Sequence, residues 1–369
     1  MRPQRRSFLA YGSALLGMLS LLAVLCFHFP RLLTSAEFRA IYTEAFARHL
    51  LLAGLAAAFA AGTLAILRGR DRRVALVGVA SATVAVLAGG TNVQLDAIGD
   101  TPYSLGLDWF VLSLLFSALV FVPIERQYGR LPLSPLRRGW RTDLAYFFMS
   151  HVLVQFVLIA VTASTATLAA LAAYPALRDA IQSLPVWVQF LMAVFVADLA
   201  QALLHRAYHR VPWLWRFHAV HHSSREMDWL AGSRMHLVEI VLTRSFVLLP
   251  LLVLGFSASA VNAYVVLVGL QAVLAHANLG VRFGWLERVL VLPRYHHWHH
   301  ARHPDYLDAN YAIHLPLVDR LMGTQRLPTD PEAWPAEYGV MTLETVPRGI
   351  LRQHAMPFLP RRHYDDHVA

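Results

Sequence analysis

Lysine is absent from this chain: all 32 basic residues are arginine. Charge of either sign is scarce, at 15% of 369 residues, whereas a soluble domain carries about 25%. Cysteine is limited to Cys26, which excludes a disulfide scaffold, a cysteine-ligated zinc site and an iron–sulfur cluster. Low polarity likewise excludes a disordered chain, and the scarcity of charge argues against a soluble globular enzyme. What is present is apolar, 57% of residues. The length is therefore best counted in membrane spans of about 20 residues each.

Apolar windows fall at 8–29, 46–67, 74–90, 105–124, 144–172, 185–204, 237–256 and 258–279. They predict an all-α, polytopic membrane protein with about eight transmembrane helices. Arg2, Arg5 and Arg6 precede the first window, and no small-x-small site follows it, so it reads as an uncleaved span. The remaining arginines test the topology. Arg68, Arg70, Arg72 and Arg73, then Arg126, Arg130, Arg137, Arg138 and Arg141, then Arg206, Arg210, Arg216, Arg225 and Arg234 all fall on one side of eight spans. The opposite loop 91–104 has no arginine and carries Asp96 and Asp100. The positive-inside rule then places both termini in the cytoplasm, as in a bacterial inner-membrane protein. The net charge of +9 is a topology signal and gives no reason to expect a nucleic-acid partner. Composition divides the chain into an N-terminal four-helix extension (1–125), a histidine-rich segment with four more helices (126–327) and a proline-rich, irregular cytoplasmic tail (328–369). No internal repeat suggests a two-halved transporter.

Histidine is the residue in excess, 19 in all. Three boxes carry most of the interest: His205-Arg-Ala-Tyr-His209, His218-Ala-Val-His221-His222 and His296-His297-Trp298-His299-His300. On a helix, positions i, i+3 and i+4 share a face. His218, His221 and His222 are thus expected to present three imidazoles together, as are His296, His299 and His300, with His205 and His209 as a further pair. Neutral imidazole is a ligand for Fe, Zn, Cu and Ni, and eight such groups are too many for one ion. The pattern points to a two-metal centre on the cytoplasmic face.

Other positions approach the same face: His276 in His-Ala-Asn278, and His236 in Arg234-Met-His-Leu-Val-Glu239. Asp198 lies seven residues before His205, two turns along the same face, and a ligand histidine's second N–H is a natural partner for it. A hydrogen bond to a neighbouring helix is the alternative. His151, inside an apolar window, reads equally as functional or as a satisfied core histidine. His303 and His314 support the third box or are structural, and His28, His49, His354, His363 and His367 carry no signal.

The boxes, in their order and spacing, resemble the fatty acid hydroxylase / sterol desaturase superfamily of membrane non-haem di-iron enzymes. The resemblance spans about 138–340, from Trp140-Arg-Thr-Asp-Leu-Ala-Tyr through the boxes to Asn310-Tyr311 and Asp319-Arg-Leu-Met-Gly-Thr324. The stretch from His296 to Thr324 is most similar to the alkylglycerol monooxygenase branch and its bacterial members. The resemblance implies metal ligation by His205, His209, His218, His221, His222, His276, His296, His299 and His300, with His236 as a tenth candidate and Asp198 and Asn278 as supports. Ala202, Leu237 and His297 depart from the family's usual aromatic, proline and arginine, and His297 introduces a competitor for metal.

What the resemblance implies chemically is a pair of iron ions, with zinc as an alternative metal, activating O2 to hydroxylate or desaturate a lipid C–H bond. The chain has no dinucleotide-binding glycine motif and no haem-attachment motif. Electrons are expected from an external donor, a cytochrome b5-like or ferredoxin-type protein, drawn to an arginine-rich face. The alternatives are a membrane zinc hydrolase, disfavoured by the lack of H-E-x-x-H, and a metal-handling protein.

Overall fold

A computed structural model describes residues 7–34, 39, 43–69, 71–92, 94, 106–152, 156, 174–341 and 346–359. Arg2, Arg5, Arg6, Arg70, Asp96, Asp100, His363 and His367 lie outside the described residues, as does most of the expected span at 144–172. Among the helices are α1 (Phe8–His28), α2 (Glu44–Leu67), α3 (Arg72–Leu87), α4 (Leu107–Tyr128), α5 (Val186–Arg210), α6 (Pro212–His218), α7 (Leu237–Leu254), α8 (Ala258–His276), α9 (Pro293–His299) and α10 (Pro316–Met322), of which α6, α9 and α10 are short. Residues 140–152 are also helical. Among the described residues there is no strand, only an isolated bridge between Ala301 and Tyr338.

Six of these helices, α1, α2, α4, α5, α7 and α8, are long and apolar enough to cross a membrane. Helix α3 occupies the window expected at 74–90 but has 16 residues, short of the roughly 20 that hydrocarbon requires. Large apolar side chains such as Leu119, Leu191 and Val266 are exposed on the six, as a lipid solvent allows.

The contacts divide the chain into two units, Met1–Ser113 and Leu114–Ala369. In the first, α1, α2 and α3 pack on one another through small residues. Ser13 donates to the carbonyl of Ala58 at 2.7 Å, and Ala10, Ala58, Ala75, Ala82 and Ala85 are fully buried. Small side chains let backbones approach where lipid supplies no hydrophobic drive between helices.

In the second unit α5 is the central helix. Its Ala193, Val194 and Ala197 meet Val247, Leu248 and Leu251 of α7 and Tyr264 of α8. Towards its C-terminus Ala202 packs with Ala275, Tyr295, Tyr311 and Val318. Helix α7 stops at Gly255, whose φ of 81° is left-handed and accessible to glycine at little cost. The result is a bundle whose C-terminal end of α5, N-terminal end of α7 and C-terminal end of α8 converge on one layer, where the short helices α6 and α9 lie.

Candidate metal centre

Each box sits at a helix end. Helix α5 is apolar along most of its length and finishes with His205 and His209, four residues apart on one face. Helix α6 starts at Pro212, whose fixed φ suits a first helical position, and ends at His218. The chain does not continue as an α-helix: after Ala219 and Val220 it tightens into a 3-10 turn at His221–Ser223. Helix α9, again opened by a proline, carries His296 and His299, with His300 at its C-cap. His276 closes α8.

These rings form two buried groups. His205, His209, His218, His222 and His299 make one, and His221, His276, His296 and His300 the other; within each, one ligand atom per residue lies within 4.8 Å of the rest. The groups adjoin, with the rings of His222 and His300 stacked at 4.3 Å. The boxes do not map onto the groups one to one. In each box the i and i+4 rings share a group while an i+3 ring joins the other, because at about 100° per residue i+4 lies about 40° to one side of i and i+3 about 60° to the other, so His221 parts from His218 and His222. His299 likewise parts from His296 and His300.

The other ring nitrogen of each ligand candidate shows how the rings are aimed. Nδ1 of His205 donates to the carbonyl of Tyr311 at 2.8 Å, that of His221 to Arg234 at 3.0 Å, that of His276 to Ala272 at 2.7 Å and that of His299 to Ala309 at 2.8 Å. Nδ1 of His218 donates to Oε1 of Glu239 at 2.7 Å. In a neutral imidazole one nitrogen carries the proton and the other a lone pair, so these five rings aim an Nε2 lone pair at the centre. Burial, with neighbouring rings as lesser contributors, holds His218, His221, His222, His296, His299 and His300 well below the ordinary 6.5, which keeps them neutral.

Neutral rings with these tautomers face each other lone pair to lone pair. Nε2 of His205 and Nε2 of His218 are 3.0 Å apart, and those of His276 and His221 are 3.4 Å apart, though both members of each pair give their proton to oxygen. Nε2 of His299 is buried with no hydrogen-bond partner. A cation between the nitrogens removes the repulsion. Two nitrogens each about 2.1 Å from one ion stand about 3.0 Å apart at a right angle and about 3.4 Å apart at the tetrahedral angle. The 3.1 Å separations of His222 from His218 and of His300 from His296 fall in the same range. The donor set and its spacing fit metal binding.

Three expected site residues take other roles. His236 belongs to neither group: as N-cap of α7 its Nδ1 accepts from the N–H of Val238 at 3.0 Å, and its Nε2 lies 3.2 Å from the carbonyl of His354. Both nitrogens are thereby engaged away from the metal positions. Asp198 reaches no ring; its carboxylate accepts from the backbone N–H groups of Ile313, His314 and Leu315. Asn278 brackets Leu131, accepting from its N–H at 2.8 Å and donating to its carbonyl at 2.7 Å. His297 turns away from both groups, its ring nitrogens 2.9 Å from the Tyr338 hydroxyl and 3.2 Å from the carbonyl of His276, so it does not compete with the ligands. His151 and His314 also lie outside both groups; Nδ1 of His151 meets the carbonyl of Phe147, and Nδ1 of His314 meets Oε1 of Gln271.

Sequence reasoning gave Glu239 no role, although it stands three residues after His236, and it did not connect the loop 309–315 with the aim of His205 and His299. Asp319 accepts from the N–H groups of Tyr311 and Ala312 at 2.8 Å each. With Asp198 on the next three, two buried carboxylates grip the loop whose carbonyls orient His205 and His299. Asn310 adopts a left-handed φ of 61° within it, and its side chain bonds both backbone groups of Arg326.

The buried all-histidine cluster, at the ends of helices long and apolar enough to cross a membrane and of the short helices beside them, could bind metal. Residues 190–324 match the model of the fatty acid hydroxylase family, and the relatives that the chain resembles are named hydroxylases and monooxygenases. It is 27% identical over 264 residues to the ornithine lipid hydroxylase OlsE of Rhizobium tropici, covering 68% of this chain and 76% of that protein. It is 28% identical to human cholesterol 25-hydroxylase over 61% of this chain and 80% of the other. The match to the alkylglycerol monooxygenase of Xenopus tropicalis, 30% identical, takes in 37% of this chain and only 30% of that protein. No solved structure matches.

Proposed function

We propose that this protein is a membrane monooxygenase that hydroxylates a lipid at a C–H bond, with O2 as oxidant and electrons from a separate carrier protein. The observation that carries the reading is the pairing of Nε2 lone pairs at 3.0–3.4 Å in two adjoining groups, an arrangement suited to two ions held side by side. His205, His209, His218, His222 and His299 would hold one, and His221, His276, His296 and His300 the other, within the 126–327 segment. Iron bound there supplies reductive O2 chemistry able to attack an unactivated C–H bond. The protein's part is to keep the rings neutral and aimed, through Glu239 and the carbonyls of Tyr311, Arg234, Ala272 and Ala309. It also keeps bulk water out, since all nine rings are at most 8% exposed.

Hydroxylation is preferred to desaturation because the relatives are named hydroxylases and monooxygenases. A zinc hydrolase would need a carboxylate base free to activate water. Glu239 already holds Nδ1 of His218 through Oε1, and Asp308 stands against Arg210 at 3.3 Å, so each carboxylate is already placed on another group. The positive-inside pattern supports a cytoplasmic centre, and Arg206, Arg210 and Arg216 beside it suit an acidic cytochrome b5-like or ferredoxin-type donor.

The test is metal content and reductant-dependent O2 uptake in anaerobically purified, iron-reconstituted protein, beside His222→Ala and His300→Ala. About two irons per chain are expected, with each variant losing about one and O2 uptake lost in both. Zinc retention with no O2 uptake by the iron-loaded protein would overturn the reading.

A further inference from the structure

A cavity of about 1040 Å³ lies against the centre's outer wall. Ser223 and Ser224, which follow His221 and His222 directly, form part of it, as does Arg234, whose carbonyl orients His221. Six arginines line it, Arg137, Arg138, Arg141, Arg225, Arg234 and Arg348, against a single carboxylate, Glu226. Arg137 and Arg234 are buried and tied to Asp143, with Arg137 also on Asp228, by ion pairs of 2.6–2.7 Å. Arg138 and Arg348 have no carboxylate partner among the described residues, and Arg141 stands 5.5 Å over the ring of Trp140. Two wall residues that are 3% exposed hold polar atoms with no hydrogen-bond partner: Nε of Arg137 and Oε1 of Gln353. Buried polar groups left open in this way mark a missing ligand or water.

We infer that this cavity takes the phosphate or carboxylate of an anionic lipid headgroup, so that the substrate is held by its head beside the histidine centre. Guanidinium groups bind such oxyanions with paired, charge-assisted hydrogen bonds. The space is far larger than inorganic phosphate requires and matches a drug-sized or headgroup-sized ligand. Trp140 and Arg141 open the helix that leads into the apolar stretch from 144, the kind of position that tryptophan and arginine take where headgroups meet hydrocarbon. A head anchor also fixes where oxidation falls: the reacting carbon is counted from the headgroup and does not move when the acyl chain is lengthened.

That placement rests on the monooxygenase reading, but binding does not, so the experiment measures binding without turnover. Purified full-length protein in a neutral detergent is titrated with dioctanoyl phosphatidylglycerol, with dioctanoylglycerol and with inorganic phosphate, for the native chain and for Arg138→Gln/Arg348→Gln. Both replaced arginines are exposed, and an unchanged melting midpoint confirms folding. Phosphatidylglycerol should bind at least about tenfold more tightly than dioctanoylglycerol, and the variant should lose most of that advantage. Equal binding of the two lipids by the native chain overturns the proposal without touching the oxygenase reading. Phosphate binding as tightly as the lipid would reassign the cavity to a free anion and overturn it equally. Because the native-chain comparison stands alone, a misfolded variant does not remove the test.

Discussion

The carboxylate of Glu239 accepts a hydrogen bond from Nδ1 of His218 at 2.7 Å, and both residues are 2% exposed. A carboxylate behind a ligand histidine fixes its tautomer and raises its basicity. Here it does so at a cost, because Oε2 of Glu239 is buried with no hydrogen-bond partner. A group retained despite that cost is serving the ring, which gives a prediction with opposite signs in two measurements. Glu239→Gln should weaken metal retention by about 10- to 100-fold. The same change should leave the metal-free protein as stable as the native chain, or more so, since it removes a buried charge. Chelator titration followed by metal analysis reads the first, and thermal unfolding of the metal-free protein the second. A fall in both would make Glu239 a structural residue only.

Gly232 passes so close to His276 that a Cβ placed on it would sit 2.5 Å from Nδ1 and 2.7 Å from Cγ of the ring. A planar ring already bonded to Ala272 cannot step aside as a flexible side chain would. Gly232→Ala should displace His276 and empty the group it shares with His221, His296 and His300, leaving about one metal per chain in place of the two proposed for the native protein. The stability loss should be about 1–3 kcal/mol, as for other overpacked sites. Metal-to-protein ratios together with melting midpoints check both; a ratio that stays at the native value would show that His276 is dispensable.

Asp198 accepts from three consecutive backbone N–H groups at 2.7–3.1 Å. An asparagine there offers one oxygen and turns an NH2 toward the remaining donors. Asp198→Asn should therefore destabilise the protein by about 1–3 kcal/mol and loosen His205 through the loop carbonyl of Tyr311. Thermal unfolding reads the first effect. Wider spectroscopic heterogeneity of a cobalt-substituted centre reads the second.

Residue type and local spacing exposed the eight box histidines and the family resemblance added His276; these nine meet in the two groups. The assignment of each ring to a group was not legible. His221 separates from His218 and His222, as His299 does from His296 and His300, because the i+3 ring turns to the other side of the helix face from the i and i+4 rings, and H-x-x-H-H does not say what stands on each side. Asp198 pointed to a ring by its position on α5, but its partners come from 115 to 117 residues later and are backbone groups, which leave no mark in residue identity. His236 carried the right residue type in the right neighbourhood and caps a helix instead. Long apolar runs showed six of the membrane-length helices directly, while the window at 74–90 holds a helix one or two turns short of them.

The same burial that keeps the rings neutral makes the metal-free protein sensitive to mild acid. Burial lowers His297 to about 3 and His314 to about 4, and it holds His218, His221, His222, His296, His299 and His300 well below 6.5 as well. Once unfolded, each of these histidines titrates near 6.5. Below that pH the unfolded chain takes up protons that the folded chain refuses, so stability falls as pH drops from about 6.5 toward 4. Each histidine contributes up to about 1.4 kcal/mol per pH unit in that window. Above about 7.5 both states are neutral at these positions and the contribution is flat. Thermal midpoints of the metal-free protein should therefore be level between pH 7.5 and 8.5 and decline steeply between 6.5 and 5. A midpoint that holds steady down to pH 5 would mean that the rings protonate in place, and it would remove the lone-pair argument for the metal centre.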